Sequence, residues 1–345
     1  MPNQHTSTYS RHDFARVTQK NPCRICRKPD WCTYTKDGAR AYCMREPSGS
    51  AWQVGNGAYV HLLQDDFTGR RQSTVSAPPI RECGTAEVER ASADRLHEVY
   101  SYFLGDCLRL TSTHFEQLRH ERGLSGVAIA ANQYASTPGR DRWHVICHAM
   151  RERFGDRLYG VPGFFKHGGR WQFPRLKGFF VPYREVRGRI VGLQVRLDEP
   201  FAGNKYLWFS TPPERFSQGT SSGAPLHFVK PDMARHEGFA FVTEGALKAD
   251  IIGDRLQAGT VALAGVSAVN AERFVKELSE ALPEVRRLTV AFDQDWQENR
   301  AVAHALKRLL EALRGSPLQV NVLSWNATQG KGFDDVLNQA ERKVA

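Results

Sequence analysis

The sequence predicts a multidomain α/β protein: a small N-terminal four-cysteine module, a basic mixed α+β middle part, and a C-terminal α/β domain with a mainly parallel sheet. Three observations carry this. Four of the seven cysteines, Cys23, Cys26, Cys32 and Cys43, cluster near the N-terminus. The stretch 140–235 is rich in Gly, aromatic and β-branched residues. From Phe239 onward, short apolar runs alternate with helix-length amphipathic segments. Such alternation is the signature of βα units feeding a parallel sheet.

The cysteines fall in the pattern Cys-x2-Cys-x5-Cys-x10-Cys. Four thiolates are the number that tetrahedral Zn(II) takes in a closed structural site. Clustered cysteines in a chain without a secretory signal favour metal ligation over disulfides. So short a segment buries little core, and zinc is expected to supply much of its folding energy. The module is expected over 1–66, where "GSAWQVGNGAYVHLL" alternates like a short sheet. Its Arg24, Arg27, Lys28, Trp31 and Tyr34 suit a single strand, by phosphate charge and base stacking.

Residues 67–90 carry Pro-Pro among Ser and Thr and read as a linker. The basic part follows over 91–236. Leu96, Val99, Tyr100, Phe103 and Leu104 share a helical face, and a second helix is expected after Thr111-Ser112-Thr113. The C-terminal domain spans 237–345. Its strands are expected at Phe239–Thr243, Thr260–Ala264, Arg287–Phe292 and Leu318–Leu323. Its helices are expected at Ala246–Leu256, Asn270–Leu282, Asn299–Leu313 and from Asp334.

The chain has 345 residues, 41% hydrophobic and 24% charged, as in ordinary globular proteins. The longest apolar stretches, such as Val261–Val266, are far too short to span a bilayer, and the polar start lacks a signal-peptide core. No membrane partner and a cytoplasmic location are therefore expected. The net charge is +10, which favours a polyanionic partner. It is concentrated: residues 1–50 carry nine Lys/Arg against four Asp/Glu, and 151–230 carry 14 against six. Two nucleic-acid surfaces are expected. Ser221-Ser222 and His227 read as loop residues, because no Gly-x-Ser-x-Gly elbow accompanies them.

Three carboxylates carry the chemistry. Glu244 ends one apolar strand ("FVTEG"), and Asp293 and Asp295 follow another ("LTVAFDQD"). Carboxylates at the C-terminal ends of parallel strands project into the crevice where open α/β sheets bind ligands. Oxygen donors grouped this way suit Mg(II) or Mn(II) together with substrate phosphates. Lys331, Asp334 and Asp335 ("GKGFDDVL") either join that site or, in the case of the aspartates, cap the last helix.

These stretches resemble a known family. "VTEGALKADII … VALAGVSAVN … LTVAFDQDWQENRAVAHAL … GKGFDDVL" looks like a Toprim domain, the fold shared by DnaG-type primases, type IA and II topoisomerases and some nucleases. "GFFVPYREVRGRIVGLQVRLD … NKYLWFSTP" is similar to the basic RNA-polymerase subdomain of bacterial primases. Within it Arg189, Gly192, Arg196, Lys205 and Tyr206 match the family pattern. The order zinc module, basic RNA-polymerase-like subdomain, Toprim is that of a primase, and the resemblance covers about 20–65 and 90–340. It is nearest to the zinc-plus-Toprim primase-like proteins of phages, plasmids and integrated mobile elements, whose motif also reads Thr-Glu-Gly-x-x-Lys-Ala-Asp.

The resemblance implies a DNA primase that makes short RNA primers from nucleoside triphosphates on single-stranded DNA. Glu244, Asp293 and Asp295 would hold catalytic Mg(II) or Mn(II), and Cys23, Cys26, Cys32 and Cys43 structural Zn(II). Arg189, Arg196, Lys205, Tyr206, Lys248 and Lys331 would contact template or nucleotide. No Walker A motif is present, so a replicative helicase is expected in trans. The sequence departs from the family in its cysteine spacing, in Gln294 between the two aspartates, and in Lys248 where the motif usually has Asp. Lys248 keeps one alternative open, a non-catalytic single-strand-binding, helicase-loading accessory protein; a Toprim phosphodiesterase or nuclease is a further alternative. An ammonium that fills the carboxylate cavity and leaves no place for a cation would argue against polymerisation.

Overall fold

The structure is a computed structural model that describes residues 14–36, 40–46, 52–53, 58–63, 88–201, 204–211, 216, 218–264, 271–294 and 300–342. The expected linker lies outside these residues except for 88–90.

The N-terminal module is an antiparallel sheet of five short strands: β1 (Phe14–Arg16), β2 (Thr33–Thr35), β3 (Arg40–Cys43), β4 (Trp52–Gln53) and β5 (Tyr59–Leu62), in the order β1-β2-β3-β5-β4. Among the described residues its buried apolar content is small. Val17 packs with Cys23, Cys32 and Cys43, and Tyr42 with Ala58 and Val60.

The middle part begins with α1 (Ala93–Tyr102), α2 (Ser112–Glu116) and α3 (Gly126–Asn132). Ser92, Thr111 and Ser125 cap these helices, each accepting from a backbone N–H in the first turn. Then come β6 (Ala135–Ser136), α4 (Arg140–Phe154) and the hairpin β7 (Phe165–His167)–β8 (Arg170–Gln172). The strands β9 (Gly178–Arg184), β10 (Ile190–Phe201) and β11 (Asn204–Trp208) complete an antiparallel sheet in the order β11-β10-β9-β6. One face of this sheet buries Phe180, Leu193 and Val195 against Tyr100, Phe103 and Met150.

The C-terminal part opens with β12 (His227–Val229) and α5 (Pro231–Glu237), neither of which the sequence announces. It continues with β13 (Phe239–Glu244), α6 (Ala246–Leu256), β14 (Thr260–Leu263), α7 (Ala271–Ala281), β15 (Arg287–Val290), α8 (Arg300–Arg314), β16 (Gln319–Val322) and α9 (Phe333–Arg342). The strand order is β12-β14-β13-β15-β16. Pairings among β14, β13, β15 and β16 are parallel, and only β12 runs antiparallel. The sheet is thus mainly parallel, as expected from the alternation.

This order places a switch point in the sheet. From β13 the chain moves to β14 on one side. It then crosses back to β15 on the other side and continues to β16. Connections leave β13 and β15 in opposite directions, which opens a crevice beyond their C-terminal ends. Glu244 ends β13, and Asp293 lies three residues past the end of β15.

The middle and C-terminal parts share a core. Leu247 and Ile251 of α6 pack with Phe179, Val181 and Tyr183 of β9 and with Leu118, Leu124 and Ile129. A buried polar network crosses the same contact. Asp250 of α6 accepts from Tyr134 Oη through Oδ2, and its Oδ1 lies 3.0 Å from His227 Nε2. The Arg184 backbone N–H donates to His227 Nδ1 at 2.9 Å, so Nε2 is the nitrogen that donates to Asp250. Asp250 is 1% exposed and His227 2%. His227 is therefore a strand residue inside an interface, which corrects its reading as part of a loop. Deleting one member of a buried pair strands the other, so Asp250→Ala is expected to cost about 3–5 kcal/mol. Chemical denaturation of the full chain would measure this.

Candidate functional site

The four cysteine sulfurs lie within 4.8 Å of one another. Cys26 and Cys32 are 3.7 Å apart, and Cys32 and Cys43 4.0 Å. A tetrahedral zinc with Zn–S bonds of about 2.3 Å needs sulfurs separated by roughly 3.8 Å, so the donor set fits the ion. Backbone N–H groups of Met44, Arg45 and Glu46 point at the sulfurs of Cys32 and Cys43 at 3.3–3.4 Å. Such donors lower the cost of gathering negative thiolates. Hydrogen bonds from Cys32 and Cys43 hold the Cys23 thiol well below its ordinary range, while hydrogen bonds with Cys23 and Cys43 push the Cys32 thiol up. The Cys23 thiolate therefore forms readily, whereas that of Cys32 needs the charge of an ion.

Arg45 sits beside this cluster. Its Nη1 lies 3.8 Å from Cys26 Sγ and 3.9 Å from Cys32 Sγ, and its Nη2 pairs with Asp30 at 2.8 Å. The guanidinium offsets the negative charge of a four-thiolate zinc centre. Outer partners of this kind typically contribute about 10–100-fold in metal affinity. Arg45→Ala is expected to lose zinc to a competing chelator by a factor in that range. Arg24, Arg27, Lys28 and Trp31 are exposed on the module, Trp31 by 69%, whereas Tyr34 is half-buried and accepts from Asn21.

In the C-terminal part, Gly245 separates Glu244 from α6 with φ +83°, a backbone angle that side-chain-bearing residues rarely adopt. The chain can therefore turn from strand to helix immediately after the carboxylate. Glu244 and Asp293 converge. Lys248 Nζ, from the first turn of α6, ion-pairs with Asp293 Oδ1 and lies 3.4 Å from Glu244 Oε1. Lys331 Nζ lies 3.8 Å from the other Asp293 oxygen, on an exposed side chain. Asp295 lies outside the described residues, so the second half of the Asp-x-Asp pair has no described place.

Asp334 joins the cluster. An atom added at Gly332 as a Cβ would stand 2.2 Å from Asp334 Oδ1 and 3.1 Å from Asp293 Oδ1, so the two carboxylates flank one backbone position that tolerates no side chain. Asp334 is 2% exposed. Its Oδ2 pairs with Arg122 at 3.1 Å, and its Oδ1 has no hydrogen-bond partner among the described residues. Asp335 instead accepts from the Gly332 N–H at 3.0 Å. Burial raises the Asp334 and Glu244 carboxyls above the ordinary range, and the neighbouring Asp293 adds to this. For Lys248, burial works against the charged form. Attraction to Glu244, Asp293 and Asp334 outweighs it, so the ammonium stays protonated. A crowd of carboxylates held partly out of water is a site that attracts cations.

The basic residues divide. Arg196 of β10 donates to Gln117 at 3.0 Å, lies over the Phe179 ring at 5.5 Å, and stands opposite Tyr206 of β11. Lys205 beside them is exposed. Arg189 is elsewhere. It precedes the start of β10, about 20 Å from Arg196 along a strand that rises about 3.3 Å per residue. It is held by Asp94 at 2.6 Å and Glu185 at 3.0 Å. The structure therefore does not bring Arg189 together with Arg196, Lys205 and Tyr206. Lys248, expected to contact template or nucleotide, has its ammonium turned onto the carboxylates.

Arg122 was not anticipated. It follows the 117–121 stretch that receives Arg196 and reaches across to Asp334, so it ties the basic sheet to the acidic cluster. A lone Arg before Gly carries no chemical signal, and only the pairing reveals it.

The chain's fold resembles that of solved DnaG-type primase cores, with a four-cysteine zinc-binding cluster ahead of the core. It aligns to the zinc-binding and RNA polymerase domains of the Aquifex aeolicus primase at 17% identity and TM-score 0.53, covering 74% of this chain and 61% of that one. It thus spans about three fifths of that relative. The RNA polymerase domain of Mycobacterium tuberculosis primase DnaG aligns at 16% identity and TM-score 0.53, covering 73% and 82%. A DnaG primase catalytic domain bound to single-stranded DNA aligns at 20% identity and TM-score 0.50, covering 73% and 76%. Residues 234–344 match a family model described as "Domain of unknown function (DUF3854)". No curated protein matches the chain. Among the described residues no helix is long and apolar enough to cross a membrane.

Proposed function

We propose that this chain is a DNA primase, which joins nucleoside triphosphates into short RNA primers on a single-stranded DNA template. The observation that carries the reading is the meeting of Glu244, Asp293 and Asp334 at the sheet's switch point, tied by Arg122 to the strand pair that presents Arg196, Lys205 and Tyr206. The C-terminal part is read as a Toprim domain, and Asp295 is assigned to the same cluster. One similar structure is a DnaG primase catalytic domain bound to single-stranded DNA, which supports the template assignment.

A bound Mg(II) or Mn(II) would supply charge to the nucleotide phosphates and to the attacking 3′-hydroxyl. The chain's own residues do the rest. Glu244, Asp293 and Asp334 hold that charge beside the helix α6. Arg196 and Lys205 position template or nucleotide phosphates, and Tyr206 shapes the groove between them. No side-chain nucleophile is needed, because the 3′-hydroxyl attacks and pyrophosphate leaves. The zinc module, with Trp31 and its basic neighbours exposed, selects the template strand. The Thr-Glu-Gly-x-x-Lys-Ala-Asp motif supports replication of a phage or mobile element as the setting, with a helicase supplied in trans.

One observation favours a second reading. The Lys248 ammonium contacts both carboxylates, as a non-catalytic strand-binding accessory protein would permit. Purified protein with single-stranded DNA, labelled nucleoside triphosphates and Mg(II) or Mn(II) decides between them. Short labelled products are expected. Tight strand binding with no product under either ion would support the accessory role.

A further inference from the structure

We propose that Lys248 is a built-in cation that fills one of two cation positions in the carboxylate cluster, so that this centre takes one divalent ion rather than two. The inference deepens the primase reading and rests on it for its setting.

Three observations carry it. The first is position. The ammonium contacts both Glu244 and Asp293, the two carboxylates that a pair of divalent ions would otherwise share. A lysine provides the charge and the three donors of a compact cation but no Lewis acidity. The second is rigidity. Lys248 rises from the first turn of α6, between the buried Leu247 and Ala249, on a helix anchored through Asp250 to His227 and Tyr134. It is not a surface side chain free to leave. The third is charge balance. Among the described residues, the carboxylates Glu244, Asp293, Asp334 and Asp335 face the cations Lys248, Arg122 and Lys331, which leaves a net charge of one negative. One divalent ion brings this to one positive, and two would bring it to three positive. Repulsion of that size in a half-buried cluster opposes a second ion.

The position left for the ion is marked by Asp334. Its Oδ1 is buried, has no hydrogen-bond partner among the described residues, and flanks Gly332 together with Asp293 Oδ1. A buried carboxylate oxygen without a donor points to a ligand. Asp334 and Asp293 would thus hold the ion, beside the ammonium, which contacts Glu244 and the same Asp293 oxygen.

The test counts ions directly. Manganese(II) is titrated into the zinc-loaded full-length protein, and bound ion is followed by electron paramagnetic resonance. The wild type is expected to take one Mn(II). Lys248→Asp is expected to take two, with the broadened signal of a coupled pair. Lys248→Met is expected to bind its first ion at least tenfold more tightly, because a neighbouring positive charge is gone. Two ions in the wild type, none in the wild type, or unchanged binding in a folded Lys248→Met protein would each overturn the proposal. Primer synthesis on the same preparations separates the two ideas. A wild type that makes primers with two bound ions sinks the built-in cation and leaves the primase. One that binds a single ion and makes no primer sinks the primase and leaves the built-in cation.

Discussion

Asp293→Asn is expected to remove primer synthesis by at least about a hundredfold while leaving the fold intact, and Glu244→Gln to behave the same way. Loss of a preorganised charge aimed at a developing transition state typically costs about 10²–10³-fold in rate. Stability should respond differently. Asp293 stands among like charges: Glu244 touches the same ammonium and Asp334 flanks the same glycine. Removing one of four carboxylates, Asp335 included, leaves three against Lys248, Arg122 and Lys331, a balanced set. The thermal midpoint of Asp293→Asn is therefore expected within a few degrees of the wild type. The contrast is Asp250→Ala, where a fully paired buried carboxylate is deleted and stability falls. Primer yield, with thermal unfolding of the same variants, reads both quantities. Wild-type primer yield from Asp293→Asn would remove the cluster from the chemistry. A collapse in its melting temperature would make the residue structural.

Zinc removal carries the second large effect. Among its described residues the N-terminal module buries few apolar side chains beyond Val17, Ala41, Tyr42, Ala58, Val60 and three of the cysteines. So small a core supplies only a few kcal/mol against the entropy of ordering the chain. Structural zinc sites contribute about 10–16 kcal/mol at neutral pH. Chelation is expected to unfold residues 14–63 while the rest of the chain keeps its structure, and Cys32→Ser is expected to do the same. Limited proteolysis with zinc quantification measures this. Rapid cleavage should appear in the module only, as the ion is withdrawn. Full protection of the module after stoichiometric zinc loss would show that the thiols are not its main support. Primer synthesis after chelation should fall at template selection more than at extension of an annealed primer.

Much of the architecture was legible in the order of residues. The helix expected at Ala246–Leu256 is found there, and the neighbouring strands agree to within a residue or two. Amphipathic spacing and a strand-ending Glu-Gly are local properties, and local physics decides them. The cysteine cluster was legible for the same reason, since four thiols so close in sequence have few other uses. What stayed hidden depended on contacts between distant segments. β12 is three residues long, and its burial against β14 gives it strand character that no period reveals. His227 became a buried partner of Asp250 through that same pairing. Arg189 looked equivalent to Arg196 in a basic run. Its position at the far end of a long strand, between Asp94 and Glu185, separates the two.

By itself the sequence determined the class of the molecule: a four-thiol metal module, a basic mixed sheet, and a parallel α/β unit with carboxylates at its strand ends. Those features follow from residue type and short-range spacing. Only the tertiary structure decided which of those residues meet. The crossover from β14 past β13 to β15 makes the strands of Glu244 and Asp293 neighbours. The loop before α9 then brings Asp334 to them, and α6 turns Lys248 inward. Charge interactions depend on distance in space, and the fold sets that distance.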